Sequence, residues 1–201
     1  MQVTFEDSFI GIRPFRTEDV PALFAAARES ISELCRWMVW CHEGYSIGDS
    51  RAFVLTCESD WATARRYSFV IYQCKDNAFL GSIGLSSLVQ KHRLANLGYW
   101  VRSGRTRRGV AGAAVRLAAS FAFGELGLNR LEMIIPVGND ASVRVAQKLG
   151  AHREGILRQR LILGGNPHDA VSYSLLAAQW NEQGRANAEN VLPAEALVAS
   201  R

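Results

Sequence analysis

The sequence predicts a single mixed α/β domain (α+β in its distribution of elements), one sheet with helices on both faces. Two observations predict it. Three β-patterned segments follow one another mid-chain, at 67–73, 79–89 and 94–101, the pattern of an antiparallel meander. Later strands are separated by helices, which places covering layers on both sides of a mixed sheet. The order read along the chain is βααβββαβαββ. With 201 residues, 48% hydrophobic and 21% charged, one core is sufficient. The domain is expected over 1–180, with 181–201 as a polar, weakly amphipathic tail.

Each element has its own signal. SFIGIRPF (8–15) alternates as a first strand. Thr17 precedes Glu18 and Asp19, an N-cap with acidic first-turn residues. Apolar residues then continue through Leu23, Phe24 and Ala27 to Ile31 and Leu34. Residues 35–45 are aromatic-rich and end in turn residues. Ser46 is placed to cap a second helix with Phe53, Cys57, Trp61 and Ala64 on one face. YSFVIYQ (67–73), the turn at 75–77 and FLGSIGLSSLV (79–89) read as a hairpin, and LANLGYWV (94–101) as a further strand. Residues 110–126 carry an Ala-rich helical stripe, stopped by Gly127. RLEMIIPV (130–137) reads as a strand buried on both sides. Asn139 opens a helix that ends at Gly150, with Val145 and Leu149 inward. Two closing strands are joined by Gly164-Gly165-Asn166-Pro167.

No run approaches the ~20 apolar residues that span a bilayer, and the N-terminus has no apolar export region. The cytosol is expected, with no membrane partner. The net charge of +4 favours anionic ligands. No groove-reading or stacking module accompanies it, so no nucleic-acid partner is expected. The four Cys form no CxxC pair and the four His have no ligand spacing; inert core thiols and no metal are expected.

Residues 94–116 carry the chemistry. A strand, an Arg- and Gly-rich loop and a helix start aim backbone N–H groups and the positive helix end at one point, which suits phosphate. The loop lacks the Lys-Ser/Thr of a P-loop and the full GxGxxG of a dinucleotide fold, so another phosphate-bearing ligand is implied. Arg102, Arg105, Arg107 and Arg108 read equally as ligand contacts or as a solvated basic loop. Taken alone, Asn139 and Ser142 read first as an N-cap and its first-turn residue, and only second as ligand contacts. Trp37, Trp40 and Tyr45 read as pocket wall or as packing. Tyr99 and Trp100 alternate across a strand and face opposite sides. His168 and Asp169 have no nucleophile beside them, which favours a structural role. Glu132 needs a partner if buried.

The chain resembles the GNAT superfamily of acyl-CoA-dependent N-acyltransferases, and more narrowly its RimJ/RimL branch. The resemblance rests on IRPFRTEDVPALF (12–24), LGSIGL (80–85) with LGYWV (97–101), RTRRGVAGAAV in the loop and helix, residues 123–158, and HDAVSYSLL (168–176). It implies a splayed, mostly antiparallel mixed sheet and acetyl-CoA as cosubstrate. The CoA pyrophosphate is expected on the amides of Arg107, Arg108, Gly109, Val110, Ala111 and Gly112. Thr106 departs from the Gln/Arg that opens the family pattern. Pantetheine is expected between the strands holding Gly98–Val101 and Met133–Val137, beside Tyr99. A backbone N–H near Trp100 or Val101 is expected to hold the oxyanion. Asn139 and Ser142 match an Asn-x-x-Ser pattern, which places Asn139 on pantetheine and Ser142 near the sulfur as proton donor. The acceptor is expected to be a primary amine such as a protein N-terminus, with a small-molecule amine or a non-catalytic CoA module as alternatives. A homodimer is among the assemblies the resemblance allows.

The family's base is missing. Branch members often carry Glu before the Gly-Tyr-Trp motif, where this chain has Asn96, and a second acidic position holds Leu161. Glu43, His42, Glu132 or a water chain remain as candidates.

Overall fold

The computed structural model describes residues 4–180. The tail expected over 181–201 lies outside the described residues. The chain runs β1 (Phe5–Glu6), β2 (Ile10–Pro14), α1 (Val20–Glu29), α2 (Ile31–Trp37), α3 (Ile47–Ala62), β3 (Tyr67–Gln73), β4 (Phe79–Val89) and β5 (Leu94–Val101). It continues with α4 (Val110–Ser120), β6 (Arg130–Pro136), α5 (Asp140–Lys148), β7 (His152–Leu163) and β8 (Asn166–Leu176). The strands form one eight-stranded sheet in the order β1-β2-β3-β4-β5-β6-β8-β7. Among the described residues, only β5 and β6 are parallel neighbours. No helix among the described residues is long and apolar enough to cross a membrane.

Three local expectations are corrected. The first strand is shorter than 8–15, and the additional two-residue β1 pairs with it. Thr17 is not the cap of α1: it opens a 3₁₀ turn. Asp19 makes the anchoring contacts instead, accepting two hydrogen bonds from the Arg13 guanidinium (2.8 and 2.7 Å) and one from the Arg16 N–H (2.8 Å). The apolar stripe from Leu23 to Leu34 spans two helices, broken at Ser30 (φ −104, ψ 12). Ser46 caps α3 as expected: its Oγ accepts the Asp49 N–H at 3.3 Å, and the Asp49 carboxylate accepts the Ser46 N–H at 2.8 Å. The Gly164-Gly165 turn has φ of +55 and +81, the left-handed pair that a tight β7–β8 hairpin requires.

The two faces of the sheet are packed differently. On one, Ala113, Ala114, Val115, Ala118 and Ala119 of α4 lie against Ile12, Phe69, Ile83, Leu85 and Leu97. The small side chains let this helix sit close. On the other, α1 and α3 cover Val70, Tyr72 and Trp100.

The sheet splits between β5 and β6. These strands pair only at Leu94–Arg130, Ala95–Leu131 and Asn96–Glu132. Beyond that point each follows its other neighbour, β5 staying with β4 to Val101 and β6 with β8 to Pro136. Gly81 permits the close β4–β5 approach: a Cβ there would lie 2.2 Å from the Trp100 carbonyl oxygen. The Arg102 N–H bonds to the Leu80 carbonyl at 2.8 Å, so by antiparallel alternation Gly98 and Trp100 turn their main-chain groups to β4. Tyr99 and Val101 turn theirs toward β6, across the split. The Val137 N–H bonds to the Asp169 carbonyl at 3.0 Å, so Ile134 and Pro136 face β5. Pro136 has no N–H to strand there, which explains how a central strand tolerates it. Accordingly β6 is not buried evenly on both sides: Met133 and Ile135 are buried and Ile134 is half-buried.

Candidate active site

A cavity of about 640 Å³ runs through the split. Its walls come from both faces of the sheet. From the α1–α3 face come Trp37, Trp40, Tyr45 and Phe53, over a floor of Ser68, Ser82, Gly84, Ser86 and Gly98. From the α4–α5 face come Tyr99, Asn139 and Ser142. The sequence reading missed the floor. Its signal is the alternation in β4, where Ser82, Gly84 and Ser86 interleave with Ile83 and Leu85 of the core.

The aromatic wall is interlocked. Trp40 packs at 5.5 Å from Tyr45 and at 6.0 Å from Trp100, and Phe79 backs Trp100 at 6.0 Å. The Tyr45 hydroxyl accepts from Ser50 Oγ at 3.0 Å, and burial raises its pKa. The guanidinium of Arg36 lies 5.2 Å from the Trp37 ring centre.

Asn139 is buried at the start of α5, and its Oδ1 accepts the Ser142 N–H at 3.2 Å. The cap therefore fixes both residues on the cavity wall. The Tyr99 hydroxyl is buried without a hydrogen-bond partner among the described residues. Burial raises its pKa, and the neighbouring Ser142 hydroxyl opposes that shift.

The loop before α4 stands outside the cavity lining. Its base is tied down: the Ser103 N–H bonds to Ser30 Oγ at 2.9 Å, the Gly104 N–H to Glu29 at 3.1 Å, and Arg102 pairs with Glu29. Arg102 is thus engaged within the fold. Arg107 (φ +60) and Gly109 (φ +81) are left-handed, and the first helical tie is from the Ala113 N–H to the Gly109 carbonyl at 3.1 Å. No backbone acceptor is assigned to the amides of 107–112 among the described residues. Such a run is a concavity suited to an anion. Arg107, Arg108 and Gly109 are exposed, Ala111 and Gly112 are half-buried, and Val110 is buried as the anchor of the helix start.

The candidate bases do not assemble. The Glu132 carboxylate takes Arg130 at 3.0 Å. Glu43 is exposed, and His42 is exposed with its Nε2 3.8 Å from Asp49. None of the three lines the cavity. Asn96 and Leu161 do line it. The carboxylate on its lining is that of Asp49, held below its usual range by hydrogen bonds from the Ser46 hydroxyl and backbone. Asp169 accepts the Gln159 N–H at 2.8 Å in the β7–β8 bulge, and His168 is exposed on the same hairpin.

A split sheet pierced by a two-sided cavity, with an amide-rich loop leading into a helix, is the architecture of an acyltransferase. The chain belongs to the acetyltransferase (GNAT) domain family, whose profile matches residues 10–152. It is 31% identical over 178 residues to YdaF of Bacillus subtilis (strain 168), which carries the provisional name of a ribosomal N-acetyltransferase; the match covers 85% of this chain and 93% of YdaF. A solved structure described as a probable acetyltransferase superposes with a TM-score of 0.82 at 29% identity, covering 89% of this chain and 99% of that one. Mycobacterium smegmatis RimJ, solved with CoA-disulfide, has the same fold (TM-score 0.79, 24% identity, 89% of each chain).

Proposed function

We propose that the protein transfers an acetyl group from acetyl-CoA to a primary amine, and that the amine is the α-amine of a peptide or protein. The observation that carries this reading is the split between β5 and β6, with unpaired amides along it and a cavity open to both faces. Pantetheine, itself a chain of amides, fits a gap in which Tyr99, Val101 and Ile134 lack strand partners. The pyrophosphate goes to the amides of 107–112, with Arg107 and Arg108 beside them. Trp100 has its amide in the β4 ladder, so the oxyanion donor is the Val101 N–H. Ser142, on the α5 side, meets the departing sulfur, with Asn139 holding its position. The amine enters from the aromatic side, past Trp37, Trp40 and Tyr45. Nitrogen attacks the thioester carbon, the C–S bond breaks, and the proton lost by nitrogen balances the one taken up by sulfur.

The acceptor class follows from magnitudes. An α-amine with pKa near ~7.7–8 is roughly a fifth to a third neutral at pH ~7.4, whereas a Lys amine at ~10.4 is neutral in about one molecule per thousand. Without a base, the α-amine loses less than about tenfold and the Lys amine about a thousandfold. Among the described residues the cavity lining carries one carboxylate, that of Asp49, where a polyamine needs several. The name carried by YdaF agrees with a ribosomal-protein N-terminus. The apolar aromatic wall and a volume typical of small-ligand sites favour a small apolar amine as the second reading.

A thiol-release assay over peptides beginning with Ser, Ala or Met, with Lys-bearing peptides and polyamines as controls, tests this. Turnover restricted to α-amines supports the reading. CoA binding with no turnover on any amine overturns it in favour of a non-catalytic module. Ser142→Ala should slow turnover and keep CoA affinity, whereas Gly109→Glu should abolish CoA binding.

A further inference from the structure

Cys35 and Cys41 stand at the two roots of the aromatic wall. Cys35 lies near the end of α2, one helical turn past Ile31. The helix stops at Trp37, Met38 is extended (φ −112, ψ 117), and the Cys41 N–H bonds back to the Met38 carbonyl at 3.1 Å. The chain thereby doubles back on itself. The two sulfurs meet at 3.1 Å, and Cys41 Sγ is also 3.9 Å from the Ile31 carbonyl oxygen. Both thiols are free. Between them Trp37, Met38, Val39 and Trp40 all line the cavity, whereas neither cysteine does. Trp40 is 41% exposed and reaches across to Trp100 on β5, so an acceptor arriving from the aromatic side must pass it. Just beyond Cys41 the chain is anchored to α1, where Arg28 donates to the Glu43 carbonyl at 2.7 Å. The turn at 37–40 is thus closed at its base by two sulfurs in contact and not by a bond.

We propose that Cys35 and Cys41 form a redox modification site: exchange with a small disulfide joins their sulfurs, staples the base of the 37–40 turn and restricts entry of the acceptor. The bond itself does not depend on the acetyl-transfer reading above; its effect on the acceptor rests on that reading. The exchange balances in two steps. The half-buried Cys35 loses its proton and attacks one sulfur of the small disulfide, and the first thiolate leaves and takes up a proton. Cys41, whose thiol burial holds protonated, then gives its proton to water as it attacks the Cys35 sulfur. The second thiolate leaves and is protonated. The two cysteines lose two electrons, and the small disulfide becomes two thiols. Cys41 needs no access to solvent, because its target is already beside it. A disulfide holds its sulfurs ~2.05 Å apart, so closure draws the roots of the turn together by about 1 Å. The CoA loop at 107–112 is on another part of the fold and is left as it was.

The test incubates the whole protein in mixtures of reduced and oxidised glutathione, then blocks free thiols and digests with trypsin. Cleavage after Arg28, Arg36 and Arg51 puts the two cysteines on separate peptides, 29–36 and 37–51, which only the bond can join. The joined pair should appear reversibly, with a matching change in Trp fluorescence from Trp37 and Trp40. In the oxidised protein kcat/KM for the acceptor should fall at least about threefold, towards the ~100-fold that a 1 Å misplacement can cost, with CoA affinity unchanged. Cys35→Ser should keep the reduced protein's activity and be indifferent to oxidised glutathione. Absence of the joined peptides at every glutathione ratio overturns the inference, as does arrest at a glutathione adduct on Cys35. A smaller fall in kcat/KM, or an equal fall in Cys35→Ser, overturns the control of acceptor entry. Failure of the acetyl-transfer reading is a separate result, no thiol release on any amine by the reduced protein, and the peptide and fluorescence readouts still decide the site.

Discussion

Asn139 performs two tasks with one oxygen. By accepting the Ser142 N–H it satisfies a donor at the start of α5 and sets Ser142 on the cavity wall before any ligand arrives. Asn139→Ala should cost about 1 kcal/mol of stability, as other cap deletions do. Asn139→Asp, which keeps an acceptor, should cost much less. Thermal unfolding of the two variants checks this. The Asn-x-x-Ser spacing is legible in the sequence, because capping is a local matter of three residues. That Asn96 Oδ1 and the Tyr99 hydroxyl are buried without a hydrogen-bond partner among the described residues is not legible. Ser86, opposite on β4, could have bonded Asn96, and only the packed structure shows that it does not. Burial raises the Cys41 thiol to about 12 and the Cys57 thiol to about 11, whereas Cys35 and Cys74 are half-buried rather than core residues.

At β4, Gly81 is indispensable for the β4–β5 ladder. Its φ of +154 and the Trp100 carbonyl 2.2 Å from any added Cβ leave an alanine no room, and the obstacle is backbone. Gly81→Ala should lower stability by about 1–3 kcal/mol, read as a lower urea midpoint. Ionic ties hold other elements in place. Hydrogen bonds from Arg102 and the Gly104 N–H keep the Glu29 carboxyl below its usual range, and Ser174 with Arg130 does the same to Glu154 on β7. Carboxylates with lowered folded pKa contribute stability that is complete above the unfolded value of about 4.3 and lost as pH falls through the folded one. The melting temperature should therefore be flat above about pH 5 and fall below about pH 4, in a series at constant ionic strength. β3, β4 and β5 are legible because β-branched runs are separated by turn residues. The break at Ser30 is not, since Leu23, Ala27, Ile31 and Leu34 keep helical spacing straight through it. What separates the two helices is distant in sequence: Ser30 is buried under the loop at 103, whose N–H it accepts.

The molecule is two half-sheets, β1–β5 and β6–β8–β7, stitched at three residue pairs. A ligand lodged in the split touches both, so it should stabilise the whole. Acetyl-CoA at about 100 times its Kd adds about 2.7 kcal/mol, a rise of roughly 5–10 °C for a domain of this size. A thermal-shift titration measures it, and Gly109→Glu should remove the rise. The order of strands and helices is legible from periodicity. The split is not read from periodicity, because it arises where each of two strands keeps a better partner; Pro136 is its one local mark. A fissure bordered by main chain has a further consequence for descent. Whatever lies in it is recognised by groups that every amino acid possesses. Side chains on the aromatic side can then drift to suit new acceptors without disturbing the common donor, and one frame can be retuned to many targets by altering a single wall.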